Sequence, residues 1–235
     1  ISLIGSGRFS AILTVNDERP TIQIDEDLRA GNVLYFRLQA LLDADSAALL
    51  GRLVINDLAY CAARRHQEGG KQAFSPVYLD EFGSFVCPAF LELIAKARSA
   101  GLALHFSHQS AYDLEEESSS FLGRVMDNAS TKIILRTYDH ESTDRMAKSF
   151  GLKTAIKMTQ QAEGELDDHE KTGMATVREV QTFRASPTQM KSLPTGHGFA
   201  FVAHGEDRKD GGSCVFRLRF PRLQTNSINP SKTGE

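Results

Sequence analysis

The sequence predicts an α/β fold: a doubly wound, mainly parallel sheet over residues 32–151, followed by C-terminal strands that are antiparallel. Two observations predict it. Short, apolar, β-rich runs alternate four times with segments of helical spacing between Asn32 and Phe150. After Thr176 the pattern changes to strands around turns, with Asp210-Gly-Gly212 as a hairpin signal. At 235 residues and 41% hydrophobic, the chain has enough mass for one substantial core.

Each element follows from its local chemistry. Residues 1–31 read as a loosely structured N-terminal segment, with short strands expected at Ala11–Val15 and Thr21–Ile24. Asn32-Val-Leu-Tyr-Phe-Arg-Leu38 is apolar nearly throughout, as a strand covered on both faces should be. Asp45 or Ser46 can cap a helix reaching about Gln67, with Leu49, Leu50, Leu53, Val54 and Leu58 at helical spacing. Glu68-Gly-Gly70 ends it, and Val77-Tyr-Leu79 forms the next strand. Pro88 to Ala100 reads as a helix, with Pro in the first turn and Gly101 past its end, and Leu102–Phe106 as the strand after it. A polar, acidic stretch at 111–120 precedes a helix marked by Phe121, Leu122, Val125 and Met126, then a strand at Lys132–Leu135. Asp139 can cap a helix through Phe150, closed by Gly151. Residues 152–175 read as a polar excursion, 176–222 as strands of the same domain and 223–235 as a disordered tail.

Composition narrows the function without choosing it. The net charge of −3 argues neither for nor against nucleic acid. Cys61, Cys87 and Cys214 are far apart and form no Cys-x-x-Cys, so neither a zinc ribbon nor a disulfide framework is supported. No run approaches the length of a membrane span. The chain opens at Ile1 with neither Met nor the features of a signal peptide, and it reads as a piece of a longer polypeptide.

The chemistry-bearing stretch is Ser75-Pro-Val-Tyr-Leu-Asp-Glu-Phe82, whose apolar run delivers Asp80 and Glu81 to the carboxyl end of a strand. In open α/β sheets that edge is where ligands bind. A strand-end Asp there can hold Mg²⁺ beside nucleotide phosphates, and the next acid can polarise a water. The same pair also serves as a helix cap or a solvated turn. Gln109 closes the following strand, and a right-handed crossover would bring both strand ends to one edge.

With these residues in place, the chain resembles the TraD/TraG-type coupling ATPases of conjugative type IV secretion. The resemblance rests on Val77-Tyr-Leu-Asp-Glu-Phe-Gly83, Ala95-Lys-Ala-Arg-Ser-Ala-Gly101, Gln109-Ser110 with Asp113-Leu114, and Met126-Asp-Asn-Ala-Ser-Thr-Lys-Ile-Ile-Leu135. It covers roughly residues 30–150, with looser similarity through Phe220. It implies the later part of a RecA-like motor domain. Asp80 becomes the Mg²⁺-organising acid of a Walker B motif, holding the ion through water, and Glu81 the catalytic base. Gln109 becomes a sensor of the ATP γ-phosphate, and Arg98 a finger reaching a neighbouring subunit's nucleotide. A helix-terminal Arg that complements the dipole, and a simple strand-end hydrogen bond for Gln109, are the plainer readings.

The resemblance further implies a membrane-anchored, homo-hexameric ATPase at the cytoplasmic face of the bacterial inner membrane. Its partners would be DNA, relaxosome proteins and type IV secretion channel components. The family's smaller all-helical domain does not show in residues 30–150. Two departures limit the carry-over. Gly-x-x-x-x-Gly-Lys-Ser/Thr occurs nowhere, and Gly69-Gly-Lys-Gln72 lacks the first Gly and the hydroxyl, so this chain alone is expected neither to bind ATP tightly nor to turn it over. Where some relatives carry Lys, this sequence has Glu115-Glu-Glu117 and Asp139-His-Glu141. Another hexameric DNA-pumping ATPase and a non-enzymatic docking domain stand as alternatives.

Of the remaining clusters, His105 and His108 point to opposite faces of a strand, which argues against a shared metal and for no structural metal site. Asp167-Asp-His-Glu170 reads as a solvated charge run. Arg64-Arg65-His66 reads as dipole complementation at a helix end, with a DNA-facing role as the alternative.

Overall fold

The computed structural model describes residues 21–38, 43–70, 72–163, 170–203 and 213–221, the side chains of 159–163 and 170–176 excepted. The expected strand at 11–15, the Asp210-Gly-Gly212 turn and the 223–235 tail lie outside them. The fold is α/β, a parallel pair followed by antiparallel strands, and it divides into two compact units, Ile1–Ala129 and Ser130–Glu235.

In the first unit α1 (Ile24–Ala30) occupies the place where a strand was expected to end. Asp25, Glu26 and Asp27 fill its first turn, where the helix dipole favours acids, and Gly31 closes it in the left-handed region. The long helix α2 (Ala44–Glu68) is capped ahead of the expected Asp45 or Ser46, by Asp43, whose carboxylate accepts from Ser46 N. Its stripe Leu58, Cys61, Ala62 and Arg65 is buried. β1 (Ser75–Leu79) and β2 (Leu102–Phe106) pair in parallel, with Leu79 opposite Phe106, through the crossover helix α3 (Ala89–Lys96). Gly101 enters β2 with φ near 73°, and a Cβ there would sit 2.8 Å from Ala73 O. The chain then runs through α4 (Tyr112–Glu115) and α5 (Phe121–Asn128).

Among the described residues, 32–38 pair with no strand. Leu34, Phe36 and Leu38 pack on the core, and Val33 and Tyr35 are turned to solvent. The alternation is that of a strand, but no described neighbour supplies the ladder. The outer face of β1–β2 exposes Tyr78, stacked on His105 at 4.8 Å.

The second unit holds β3 (Thr131–Leu135), which does not extend the parallel alternation but pairs antiparallel with β6 (His197–Val202), itself antiparallel to β7 (Cys214–Arg219). α6 (His140–Phe150) packs Ala147 and Phe150 into a core with Ala185, Met190, Leu193 and Phe199. Asp139 caps α6 and Gly151 closes it. The polar run after Gly151 forms the arms of a hairpin, β4 (Leu152–Glu163) with β5 (Glu170–Phe183). Thr-rich arms with period-two alternation suit a ribbon, a signal that the charge content conceals. A short helix α7 (Pro187–Lys191) starts with a Ser186/Gln189 capping box.

Candidate nucleotide-facing site at the carboxyl ends of β1 and β2

The parallel register brings the ends of β1 and β2 side by side, and Ser107 fastens them. Its N–H donates to Leu79 O at 3.0 Å, and its carbonyl accepts from Phe82 N at 2.8 Å. Its hydroxyl donates to Asp80 Oδ1 at 2.6 Å, a short, charge-assisted bond. Asp80 Oδ1 also accepts from Glu81 N at 3.1 Å. Oδ2 has no hydrogen bond among the described residues, which leaves it open to a hydrated cation.

Glu81 is the one non-glycine residue with positive φ among the described residues, at φ 50° and ψ 41°. Left-handed backbone costs on the order of 1 kcal/mol for a residue with a Cβ. The next residue explains how it is held. Phe82 is fully buried, with its ring 4.2 Å from Phe90 and 5.9 Å from Phe106, and it opens a 3-10 turn (Phe82–Phe85). Burying such a ring contributes about 1.5–3 kcal/mol, enough to hold the kink. The kink leaves Glu81 exposed, and Gln109 Nε2 donates to Glu81 Oε1 at 3.2 Å.

Gly83 ties the acid turn to the loop after β2. A Cβ on it would lie 2.8 Å from Asp113 Oδ2, the same oxygen that accepts from Ser110 N at 3.3 Å. The Asp-Glu-Phe-Gly turn therefore seats on the Gln109–Asp113 segment, and the two motifs form one packed unit. Three of the four singled-out residues, Asp80, Glu81 and Gln109, meet here.

Arg98 does not join them. It lies in the turn after α3, next to Gly101 at the amino end of β2, and is exposed. His105 stacks on Tyr78, whereas His108 Nδ1 meets Ser110 O at 2.8 Å, so the two imidazoles serve different contacts. Gly69 and Gly70, both with positive φ, terminate α2.

The basic cluster at the end of α2 does more than complement the helix dipole. Arg65 is 1% exposed, and its Nε donates to Asp25 Oδ1 at 2.7 Å. Arg64 and Arg29 both bind Asp25 Oδ2. A buried carboxylate thus clips α1 to α2. Position 65 continues the buried stripe of α2, so its inward direction was readable from the spacing; Ser107 carried no comparable signal. The thiols of Cys61 and Cys87 are pushed up by burial, which keeps them protonated.

A family profile described as the TraM recognition site of TraD and TraG matches residues 76–194. The chain belongs to the TraD/TraG family. It is the C-terminal part of a TraD/TraG-type protein, and solved structures of conjugative coupling proteins have a similar fold. The bacterial conjugative coupling protein TrwBdeltaN70, in its unbound monoclinic form, aligns with a TM-score of 0.59 at 14% identity, over 77% of this chain and 40% of that one. The plasmid coupling protein TrwB in complex with the non-hydrolysable ATP analogue ADPNP aligns at 0.54 and 14%, over 77% and 38%. TrwB with the GTP analogue GDPNP aligns at 0.53 and 16%, over 77% and 39%. At these identities the likeness concerns the fold, which is that of part of the RecA-like domain. The TraD/TraG chain spans about two-fifths of the TrwB chains it matches. A search of the curated proteins finds no match. Among the described residues no helix is long and apolar enough to cross a membrane.

Proposed function

We propose that this chain is part of a conjugative coupling ATPase that links a DNA–relaxase substrate to a type IV secretion channel. The observation that carries the reading is the joining of Asp80, Glu81, Ser107 and Gln109 at one strand-end edge. Membership of the TraD/TraG family supports it. Asp80 offers an open carboxylate oxygen for the hydration shell of Mg²⁺, and Ser107 holds that carboxylate in place. Glu81 is exposed and oriented by Gln109, as a base that polarises the attacking water needs to be. Gln109 can exchange its bond to Glu81 for one to a γ-phosphate oxygen and so report the nucleotide state. Bound Mg²⁺ supplies charge neutralisation for the phosphates.

Arg98, at the far edge from these acids, serves the neighbouring subunit's nucleotide in a homo-hexamer. The longer protein is anchored at the cytoplasmic face of the inner membrane and supplies the phosphate loop. Its partners are DNA, channel components and relaxosome proteins, the family's description naming TraM among the last. ATP and Mg²⁺ are its cofactors, and this chain alone binds neither tightly.

The test is Mg-ATP turnover by the longer protein and its Asp80→Ala variant, with folding followed by circular dichroism. Loss of turnover in a folded variant supports the reading. Unchanged turnover overturns it, as does low-micromolar ATP affinity of the isolated chain by calorimetry, which would mean that the binding elements lie elsewhere.

A further inference from the structure

The β4–β5 hairpin has two chemically different faces. In the register of the ladder, Lys153 lies opposite Thr182, Ala155 opposite Val180 and Lys157 opposite Arg178, and these residues share one face. Leu152, Ile156, Met158 and Val177 share the other, together with Thr154, Gln181 and Glu179. The first face therefore carries three cations and no acid over the described side chains, on a chain whose net charge is −3. Lys153, Lys157 and Arg178 are exposed, and none forms an ion pair among the described residues.

Lys157 and Arg178 face each other directly. Like charges opposite one another in an antiparallel pair are destabilising. The arrangement is relieved when an anion lies between them. Lys153, four residues along the same strand, stands about 13 Å away at the usual rise per residue. The spacing suits a second charge on an extended polyanion, and a two-stranded ribbon fits the major groove of duplex DNA. The base of the ribbon is anchored: Phe183 packs against the core of its unit, Arg184 N donates to Gly151 O at 3.0 Å, and Arg184 Nε to Leu152 O at 3.3 Å.

We propose that the Lys153/Lys157/Arg178 face of this hairpin is a sequence-independent contact surface for the phosphate backbone of DNA. Charge complementarity favours this occupant. The proposal rests on the DNA-handling part of the function above and is independent of ATP hydrolysis, which is measured separately.

The experiment is fluorescence anisotropy of the chain with a labelled duplex and a labelled single strand over a salt series. The triple variant Lys153→Gln/Lys157→Gln/Arg178→Gln should bind more weakly and flatten the slope of log K against log salt by about 2 to 3, since each phosphate contact contributes about 0.9 for duplex and 0.7 for single strands. Lys157→Gln alone should flatten it by about 1 and serves if the triple variant unfolds. Ile156→Thr/Met158→Thr, on the other face, should leave both readouts unchanged. Unchanged affinity and slope in the basic-face variants overturns the proposal. So does loss confined to the Ile156/Met158 variant, which would mark the apolar face as the functional surface, or absence of binding by the unaltered chain at low salt.

Discussion

Ser107 Oγ donates to Asp80 Oδ1 at 2.6 Å, across the carboxyl ends of two parallel strands joined by a crossover helix. A single hydroxyl thereby sets the position of the acid on the neighbouring strand. The same residue's backbone bonds Leu79 and Phe82, so the acid turn cannot shift without breaking β1 from β2 at its end.

Close packing between the turn and the next loop gives the first prediction. Gly83→Ala puts a methyl 2.8 Å from Asp113 Oδ2 and 2.9 Å from its Cβ. Overpacking of this kind costs about 1–3 kcal/mol. Urea unfolding of the variant should show a lower midpoint with an unchanged slope. An unchanged midpoint would mean that Asp113 simply swings away.

Asp25 is the second target. It is 7% exposed and neutralises the buried Arg65. Removing one partner of a buried pair costs about 3–5 kcal/mol, because the remaining charge stays desolvated. Asp25→Ala should therefore destabilise the chain far more than Glu68→Ala, whose Arg29 and Arg64 partners are over a third exposed. Equal losses in the two variants would show that Arg65 reaches water once Asp25 is gone.

The third prediction concerns acid pH. The Asp139 carboxylate accepts from Ser142 N at 2.6 Å, and bonds from Ser142 hold its pKa below the ordinary 3.8. A depressed carboxylate pKa gives stability that is complete above the unfolded value and is lost as pH falls through the folded one. The Ser142 amide proton should therefore titrate with a midpoint below 3.8, and Asp139→Asn should abolish that titration. A midpoint at or above the ordinary value contradicts the cap.

Much of the strand-end site was readable because its elements are local. An apolar run ending in Asp80-Glu81, a Pro-started helix, and a second run ending near Gln109 fix the order along the chain, and the parallel register does the rest. What escaped was non-local or context-bound. The alternation in 32–38 specifies an extended conformation but not a ladder partner. The strand Lys132–Leu135 has the composition of a parallel strand, yet it meets β6 in antiparallel register, a choice made by residues more than sixty positions away. Asp25 sits among other acids, and only the third dimension separates the buried one from its exposed neighbours.

Arg98 is set apart from Asp80 and Glu81 within its own chain, which suits action on another subunit. Arginine fingers contribute on the order of 10³-fold or more to turnover. In the longer protein Arg98→Ala should nearly abolish activity without unfolding. Mixed rings of Arg98→Ala and Glu81→Gln subunits should regain part of it, because some interfaces pair an intact acid site with an intact finger. Exchanging rings that stay inactive would assign Arg98 to a role within its own chain.

The most direct measurement is steady-state Mg-ATP hydrolysis by the longer protein carrying Glu81→Gln, with nucleotide affinity measured on the same sample. If Glu81 is the base, affinity is kept and turnover falls by roughly 10²- to 10⁴-fold. Turnover near that of the unaltered protein would contradict the account and reduce the acid pair to a structural turn.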